Sequence, residues 1–513
     1  MTTPAITRRI GALRCGRADS QDFPGDPAPR RGTARTHSLP GLRAVRIALG
    51  VLVLLASLAA GVTGCKVGPD FAPPPAASGT TFRGAQPGPT NSLGDLPWWQ
   101  LFKQPELREL ITVALTNNQD LRAATARVEQ SRQALAQSRA AFLPQVGYEA
   151  GLGEGRNVVA GQPSDIGGGS GKGNDIAGTV AWEIDLWGRI RRLTESARAQ
   201  MLATQETRRD VTISLVARVA ESYFTLLALD EELAIAQRAT NSFAESRRLF
   251  DERLHGGVAS RLEIATASAA LASAAATIPD LRRQIAAREN ELAVLLGREP
   301  GPIPRPVGAL AGQVPPAVPP GLPSALLERR PDIRRATQLL RSANARIGAA
   351  KADFYPRISL TGLFGEVSPE LIPFTSGAVS AWSLAGNLAG PVFQGGRLRA
   401  QLREARAAWE EAGAAYEGTV LNAFREVSDA LITGEEVAAQ TRELERAVTA
   451  WREAVEVAGE RYRAGQSSYY ELLQAQEALY PAETALTQAA LSRLLTSVQL
   501  YKALGGGWEP AQP

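Results

Sequence analysis

Residues 145–152 read QVGYEAGL, a stretch in which apolar and polar residues alternate. Residues 179–186, TVAWEIDL, show the same alternation. A period of two residues is typical of a β-strand with one apolar and one polar face. The segment between them, residues 153–175, is rich in glycine and polar residues and is predicted to be an exposed loop. Together these features predict a two-stranded β-hairpin.

A second hairpin is predicted in the second half of the chain. Apolar residues alternate from Ile358 to Phe364 and again from Trp382 to Val392, with residues 366–378 as the loop. Each strand is about as long as the 9–11 residues that span a bilayer, although a small soluble hairpin packed on helices is the alternative. Aromatic residues near the strand ends favour membrane strands, because such residues form interfacial girdles. They are Tyr148, Trp182, Trp187, Phe364, Trp382 and Phe393.

Long helical patterns occupy much of the remaining chain. No proline occurs between Trp187 and about His255, and Ala, Glu, Arg and Gln, which favour helix, are abundant there. At about 1.5 Å per residue, this helix is on the order of 100 Å long. Residues from Arg397 to about Tyr462 have the same helix-favouring composition. A coiled-coil-like seam with spacings of four and three runs through the first segment. Its members are Leu215, Val219, Ser222, Leu226, Leu229 and Leu233.

The two halves of the chain are an internal duplication. The stretch AFLPQV at 141–146 matches DFYPRI 212 residues later, and RLHGGVASRLE at 253–263 matches RYRAGQSSYYE 208 residues later. The second pair contains the glycines Gly256, Gly257 and Gly465, which permit a sharp reversal after a long helix. The predicted divisions are a first repeat at 97–297, a Pro/Gly linker at 298–323, a second repeat at 324–507 and a tail at 508–513.

The N-terminal region reads as a secretory signal that ends at a cysteine. Arg43 and Arg46 precede an apolar run from Ile47 to Gly61, and small residues lead to Cys65. This order resembles the lipobox of bacterial lipoproteins, which implies a covalent lipid (N-palmitoyl, S-diacylglycerol) on Cys65 after cleavage. A buried helix that contains a cysteine is the alternative. Residues 1–64 are thus predicted to be a leader and signal peptide, and residues 65–96 a lipidated, flexible N-terminal tether.

The basic pI of the full chain is not evidence for nucleic-acid binding. Residues 1–64 contain nine Lys/Arg and three Asp/Glu, so their removal leaves 47 basic and 49 acidic residues. The mature chain then has a formal charge of −2. The basic excess therefore belongs to the discarded segment.

Catalytic chemistry has few candidate residues. The chain has only two histidines, His37 in the discarded segment and His255, so histidine-based metal clusters and Ser–His–Asp chemistry are nearly excluded. The cluster GGGSGKGND at 167–175 lies between two predicted strands and does not open a helix, which argues against a phosphate loop. The sequence predicts no enzyme, no metal site and no cofactor other than the lipid.

Several motifs together resemble one family. They are PWWQLF (97–102), WEIDLWGR (182–189), RRPDI (329–333), FYPRISL (354–360), QGGR (394–397) and YKALGGGW (501–508). Their order resembles the TolC-type outer membrane factors, and more narrowly the NodT-type lipoproteins of resistance-nodulation-division efflux systems. The resemblance covers about residues 66–508.

The resemblance implies an α+β membrane protein that works as a homotrimer in the outer membrane. Four strands per protomer are too few for a barrel, since the smallest have about eight and a spanning sheet must close. Three protomers would form a twelve-stranded β-barrel, continued by a long periplasmic α-helical barrel. The implied partners are outer membrane lipid, a periplasmic adaptor protein and an inner-membrane resistance-nodulation-division transporter.

The resemblance also implies a gate at the periplasmic tip. The matching positions are Tyr462 before the turn, then Tyr470 and Gln474, with Glu477 one turn further. The last three are spaced by four and three and share one helical face. Gln474 stands where many relatives have aspartate, so aromatic rings and carboxylate rings both remain candidates for the constriction. Simple packing between helices is the alternative.

The predicted function is a passive exit duct for drugs or other small molecules. The chain contains no GxxxxGK[ST] motif, so energy would come from the partner transporter. The nearest alternative is a type I secretion channel for protein cargo. A periplasmic coiled-coil adaptor is less consistent with the sequence, because it would lack the paired strand segments.

Overall fold

The structure is a computed structural model that describes residues 66–74, 82–84, 97–102, 104–156, 170–256, 260–306, 308, 310, 329–368 and 379–506. The first half contains α1 (Trp98–Leu101), α2 (Pro105–Asn117), α3 (Gln119–Ala140), β1 (Gln145–Arg156), β2 (Ser170–Ile184), α4 (Arg189–His255) and α5 (Arg261–Leu295). The second half contains α6 (Pro331–Ala352), β3 (Arg357–Ser368), β4 (Val379–Ala389), α7 (Arg397–Arg463) and α8 (Tyr469–Ala503).

The two halves predicted from sequence contain matching helices and strands, most of them of equal length. Helices α3 and α6 both have 22 residues, and strands β1 and β3 both have 12. Helices α4 and α7 both have 67 residues, and α5 and α8 both have 35. The predicted long helices are confirmed to within two residues at each end, since the repeated sequences fold into repeated elements.

The four strands form one antiparallel sheet in the order β1-β2-β3-β4. The register places the predicted apolar positions in rows that cross all four strands. One row is Val146, Val180, Gly362 and Leu384, and the next is Tyr148, Gly178, Phe364 and Trp382. The period of two in each strand therefore places these residues on one face of the sheet, which we call the apolar face.

The predicted strand ends need correction. Strand β1 continues to Arg156 and β2 begins at Ser170, so the predicted loop at 153–175 is too long. Strand β3 continues to Ser368, whereas Leu186 and Val392 lie beyond the ends of β2 and β4. The backbone ladder pairs glycine with glycine at Gly153 and Gly173, because ladder hydrogen bonds do not depend on side chains.

Each 67-residue helix starts from a glycine in the left-handed conformation. Gly188 has φ of 80° and Gly396 has φ of 88°, at equivalent positions of the two repeats. The Asp185 carboxylate accepts hydrogen bonds from the backbone N–H groups of Ile190 (3.1 Å) and Arg191 (2.9 Å). It thereby satisfies donors that the first turn of a helix leaves unpaired.

The main hydrophobic core joins the helices of both repeats. The predicted seam of α4 is buried from Leu215 to Leu229, and Leu233 is partly buried. This seam packs against residues from α2, α5, α7 and α8. Representative members are Leu107, Ile111, Leu292, Val427 and Val498. This core surrounds the middle of α4, and the α4–α5 and α7–α8 helix pairs continue beyond it as two helical hairpins.

Candidate functional site at the hairpin tips

The α7–α8 turn is closed by a glycine with a left-handed backbone. Gly465 has φ of 71°. Its N–H bonds the carbonyl of Tyr462 at 3.1 Å, and the N–H of Gln466 bonds the carbonyl of Arg461 at 2.8 Å. These two bonds are those of a Schellman motif, which ends a helix and reverses the chain.

The α4–α5 turn uses its glycines differently from the prediction. Gly256, the C-cap of α4, has φ of −79° and ψ of 0°, a conformation open to any residue. Gly256 therefore lies at the predicted turn, but its backbone conformation does not depend on glycine. Gly257, the equivalent of Gly465, lies outside the described residues. Helix α5 then begins with a capping box, in which Ser260 and Glu263 each bond the other's backbone N–H.

Tyr462 is buried inside the protomer and bonds the opposite hairpin. Its side chain is on α7, and Arg253 on α4 donates a hydrogen bond of 2.6 Å from Nη1 to its phenol oxygen. The Arg253 guanidinium carbon also lies 4.5 Å from the ring centroid, within range of a cation–π interaction. One contact therefore joins the first hairpin to the second at the tip.

Tyr462 belongs to an aromatic group that we call the tip cluster (Phe250, Tyr462 and Tyr469). The ring of Phe250 meets that of Tyr469 edge-on at 4.3 Å between centroids, and Tyr462 lies 5.9–6.1 Å from both. Burial raises the pKa of both tyrosines above its ordinary value. The cluster packs α4, α7 and α8 together.

The other three predicted gate residues lie on a separate surface. Tyr470, Gln474 and Glu477 are all exposed on α8, and the Tyr470 side chain is 69% exposed. The structure thus divides the predicted gate into a buried member, Tyr462, and an exposed face of three residues. We call the latter the α8 face.

A buried carboxylate links three helices farther from the tip. Glu483 on α8 accepts two hydrogen bonds from Arg452 on α7, at 2.6 and 3.0 Å. Arg238 on α4 donates a third, at 3.3 Å. A buried charge is stable only when it is paired and hydrogen-bonded, and this arrangement satisfies both oxygens.

An open groove lies at the level of this ion pair network. It has a volume of about 910 Å³ and is lined by α4, α5 and α8. Phe243 and Tyr480 supply aromatic surface, and Glu232, Asp280 and Glu477 supply carboxylates. Burial raises the pKa of Glu232. The helices α4, α5 and α8 are thus incompletely packed against each other at this level.

Sequence reasoning missed Arg253, Phe250, Tyr469 and Glu483. The only signal for Arg253 was its match to Arg461 in the repeat, which says nothing about a tyrosine partner. Tyr469 and Tyr470 are adjacent, and only the start of α8 decides which of them turns inward. Within the described residues, no group of three or more His, Cys, Asp or Glu side chains could hold a metal ion. Cys65, the predicted lipidation site, lies outside the described residues.

Comparison with known proteins gives consistent matches over most of the chain. The sequence model of the family described as "Outer membrane efflux protein" matches residues 110–298 and 322–506. Outer membrane protein OprJ of Pseudomonas aeruginosa is 35% identical over 472 residues, which cover 90% of this chain and 96% of OprJ. The toluene efflux pump outer membrane protein TtgC of Pseudomonas putida is 36% identical over 466 residues, covering 89% and 96% respectively.

A solved channel has the same fold. The MtrE outer membrane channel of Neisseria gonorrhoeae, solved in an open state, is 32% identical with a TM-score of 0.77. The match covers 87% of this chain and 99% of MtrE. This likeness confirms the predicted fold class, in which membrane strands continue into long helices.

Proposed function

The chain belongs to the outer membrane efflux protein family, and from this premise we propose that it is the outer-membrane exit duct of a tripartite efflux pump. The duct conducts drugs or other small molecules passively to the exterior, and it has no enzymatic activity. Relatives with this family membership are named as efflux pump outer membrane proteins.

The exposed apolar face of the sheet carries the proposal. Val146 is 78% exposed, Leu384 is 70% exposed and Trp382 is 76% exposed in the protomer. Soluble monomers rarely expose contiguous apolar patches of this kind. Acyl chains of the outer membrane satisfy this face, and the aromatic residues near the strand ends suit the membrane interface.

Closure of the sheet requires further copies of the chain. Strands β1 and β4 are the edges of the described sheet, and an open edge in lipid leaves backbone groups unpaired. Three protomers provide twelve strands, enough for a closed barrel. Helix α5 supports the same assembly, because it contains an 18-residue apolar window of which only 6% is buried in the protomer. A neighbouring protomer covers this surface in the homotrimer.

The partners follow from the passive character of the duct. An inner-membrane resistance-nodulation-division transporter supplies the energy, and a periplasmic adaptor protein joins it to the hairpin tips. At rest the tips constrict the pore. The Arg253–Tyr462 contact supports a closed arrangement, because it holds the two hairpins of one protomer together. The α8 face (Tyr470, Gln474 and Glu477) then lines the narrow part of the lumen three times by symmetry.

The proposal is tested by dye efflux from intact cells. Cells without this chain and without other exit ducts should accumulate ethidium, and the wild-type chain should restore efflux. The variant Leu384→Lys on the apolar face should fail to restore it, whereas its neighbour Ser383→Lys should succeed. A periplasmic adaptor would restore efflux with both variants, which would contradict a membrane duct. Restored secretion of a protein into the medium, without dye efflux, would instead indicate type I secretion.

A further inference from the structure

The residues directly after the predicted lipidation site are docked on the helices. The N–H of Val67 bonds the carbonyl of Trp187 at 3.2 Å, and Asn344 on α6 donates to the carbonyl of Pro69 at 3.1 Å. The sequence predicted a flexible tether over 65–96, and the structure differs from this for residues 66–70. Their backbone finds fixed hydrogen-bond partners that sequence reasoning could not anticipate, since those partners lie more than a hundred residues away.

Arg192 on α4 is the centre of this docking. Its side chain is 0% exposed, and it donates to the carbonyls of Val67 (3.1 Å) and Gly68 (2.9 Å). The guanidinium also pairs with Glu195 (3.1 Å) and Asp70 (3.2 Å). A guanidinium has five N–H donors and is costly to bury unless they are satisfied. The docked segment supplies two carbonyls and one carboxylate for this purpose.

Two glycines allow the segment to approach the helices closely. Gly68 has φ of 101°, and a Cβ atom there would lie 2.5 Å from the Cα of Gly348. A Cβ atom on Gly348 would lie 2.6 Å from Nε of Arg192. Any larger residue at either position would displace the segment or the arginine. We call Trp187, Arg192, Asn344 and Gly348 the N-terminal cradle.

The cradle lies at the junction between the sheet and the helices. Trp187 stands between the end of β2 and the start of α4, and its indole N–H bonds the carbonyl of Pro356 at 2.8 Å. Its ring stacks on Tyr355 at 4.7 Å between centroids, just before β3 begins at Arg357. The cradle is therefore attached to the base of the membrane sheet.

The duplication shows that the fold itself does not require the cradle. At the repeat offset of 208, the equivalent of Arg192 is Ala400 in α7. At the offset of 212, the equivalent of Gly348 is Ala136 in α3. Helix α7 thus forms without an arginine at the position equivalent to Arg192, and α3 forms without a glycine at the position equivalent to Gly348. These two residues are therefore explained by the segment that docks on them and not by helix packing alone.

We propose that the N-terminal cradle fixes the lipid-bearing end of the mature chain at the base of the membrane sheet, with Arg192 as the positioning residue. The proposal rests on the predicted lipidation of Cys65. Adjacent Cα atoms are about 3.8 Å apart, so the lipid attachment point lies one residue from docked Lys66. The lipid is thus a fixed contact between each protomer and the membrane, and it is not the end of a loose tether.

Cleavage by the lysine-specific endoprotease Lys-C at the Lys66–Val67 bond tests the cradle. Docking should protect this bond, because Lys66 pairs with Glu195 at 3.0 Å and Val67 is hydrogen-bonded. Cleavage at this bond creates a new N-terminus at Val67. We expect this cleavage to be at least about tenfold faster in Arg192→Gln and Gly68→Ala trimers than in wild type, because Arg192→Gln loses charge-assisted contacts and Gly68→Ala loses close packing. Mass spectrometry of the N-terminus measures this rate.

Matched controls separate docking from folding and from lipidation. Arg198→Gln on exposed α4 surface and Pro73→Ala on the exposed part of the segment should keep the wild-type rate. Gly68 lies outside every helix and strand, so Gly68→Ala should leave the fold intact. This variant therefore tests the cradle even if Arg192→Gln protein does not fold. Equal cleavage rates in wild-type and Gly68→Ala trimers would overturn the cradle. Absence of radioactive palmitate from wild-type protein, with Cys65→Ser as the reference, would overturn lipidation while the cleavage rates still report on docking.

Discussion

The Arg253 guanidinium on α4 donates a 2.6 Å hydrogen bond to the phenol oxygen of Tyr462 on α7, across 209 positions of the sequence. The contact lies next to Phe250 and Tyr469 and a few residues before each hairpin turn. It therefore ties together two hairpins that would have to separate if the pore widened at its tip.

Removal of the Tyr462 hydroxyl should loosen the resting gate. Tyr462→Phe keeps the ring in the tip cluster but removes a hydrogen bond to a charged group, which is worth about 1.5–3 kcal/mol. We expect a larger resting single-channel conductance, and the same change in Arg253→Gln. Arg248→Gln, which removes only surface pairs with Glu245 and Glu252, is the control. Wild-type conductance in both tip variants would show that this contact does not hold the gate.

The α8 face should control what occupies the constriction. Tyr470→Ala should increase the resting conductance, because three exposed rings are removed from the lumen by symmetry. Glu477→Gln should reduce block by divalent cations, since it removes three carboxylates from one level of the pore. Glu471 lies on the same helix, about 120° around its axis from Glu477, so Glu471→Gln should leave the block unchanged. If neither conductance nor block changes in the first two variants, the α8 face does not line the pore.

The sequence was sufficient for those features that repeat along the chain. The period of two predicted the strands and their apolar face, because alternation is a local consequence of strand geometry. The duplication predicted the ends of the long helices, because matching sequences fold into matching elements. Gly465 was singled out from sequence as a turn residue, and it has a left-handed φ of 71° that favours glycine. Strand ends were missed where glycines continue the ladder, as at Gly153.

Features that depend on distant contacts could not be predicted. Tyr469 and Tyr470 have the same chemistry and differ only in the direction that α8 gives them, one buried and one exposed. Arg192 looks like one of many helix arginines, and its burial depends on Val67 and Gly68. The contact between Arg253 and Tyr462 also exists only after the two hairpins pack. Sequence periodicity does not specify such pairs.

Charges on the two faces of the sheet should have unequal costs. Leu384→Lys places a charge on the apolar face near the middle of β4 and should cost about 2–4 kcal/mol at mid-bilayer depth. Ser383→Lys places the same charge on the opposite face and should cost much less. Urea titration of barrels refolded into lipid vesicles measures both. Equal costs would mean that the apolar face does not meet lipid.

Neutralisation of Asp210 should stabilise the helical region at neutral pH. Burial is the main cause that raises the pKa of this α4 carboxyl, with repulsion from Asp332 adding to it. Because the folded pKa lies above the unfolded value of about 3.9, ionisation costs stability at pH above the folded pKa, and this cost disappears as pH falls through it. Asp210→Asn should thus raise the melting temperature at pH 7 and lose this advantage in acid.

The control for this effect is a surface carboxylate of the same type. Asp429→Asn removes an exposed partner of Arg425 and should change the melting temperature little at any pH. A destabilised Asp210→Asn at pH 7 would mean that the nearby basic groups of Lys502, Arg335 and Arg330 outweigh burial.

The central claim is that three copies of this chain form one membrane-spanning duct, and planar bilayer recording of the purified wild-type protein tests it most directly. The account predicts discrete channel openings from the trimer fraction, with a small resting conductance that Tyr470→Ala increases, and none from Leu384→Lys protein. Trimers that insert into the bilayer without conducting ions, or equal channel activity from monomers, would contradict it.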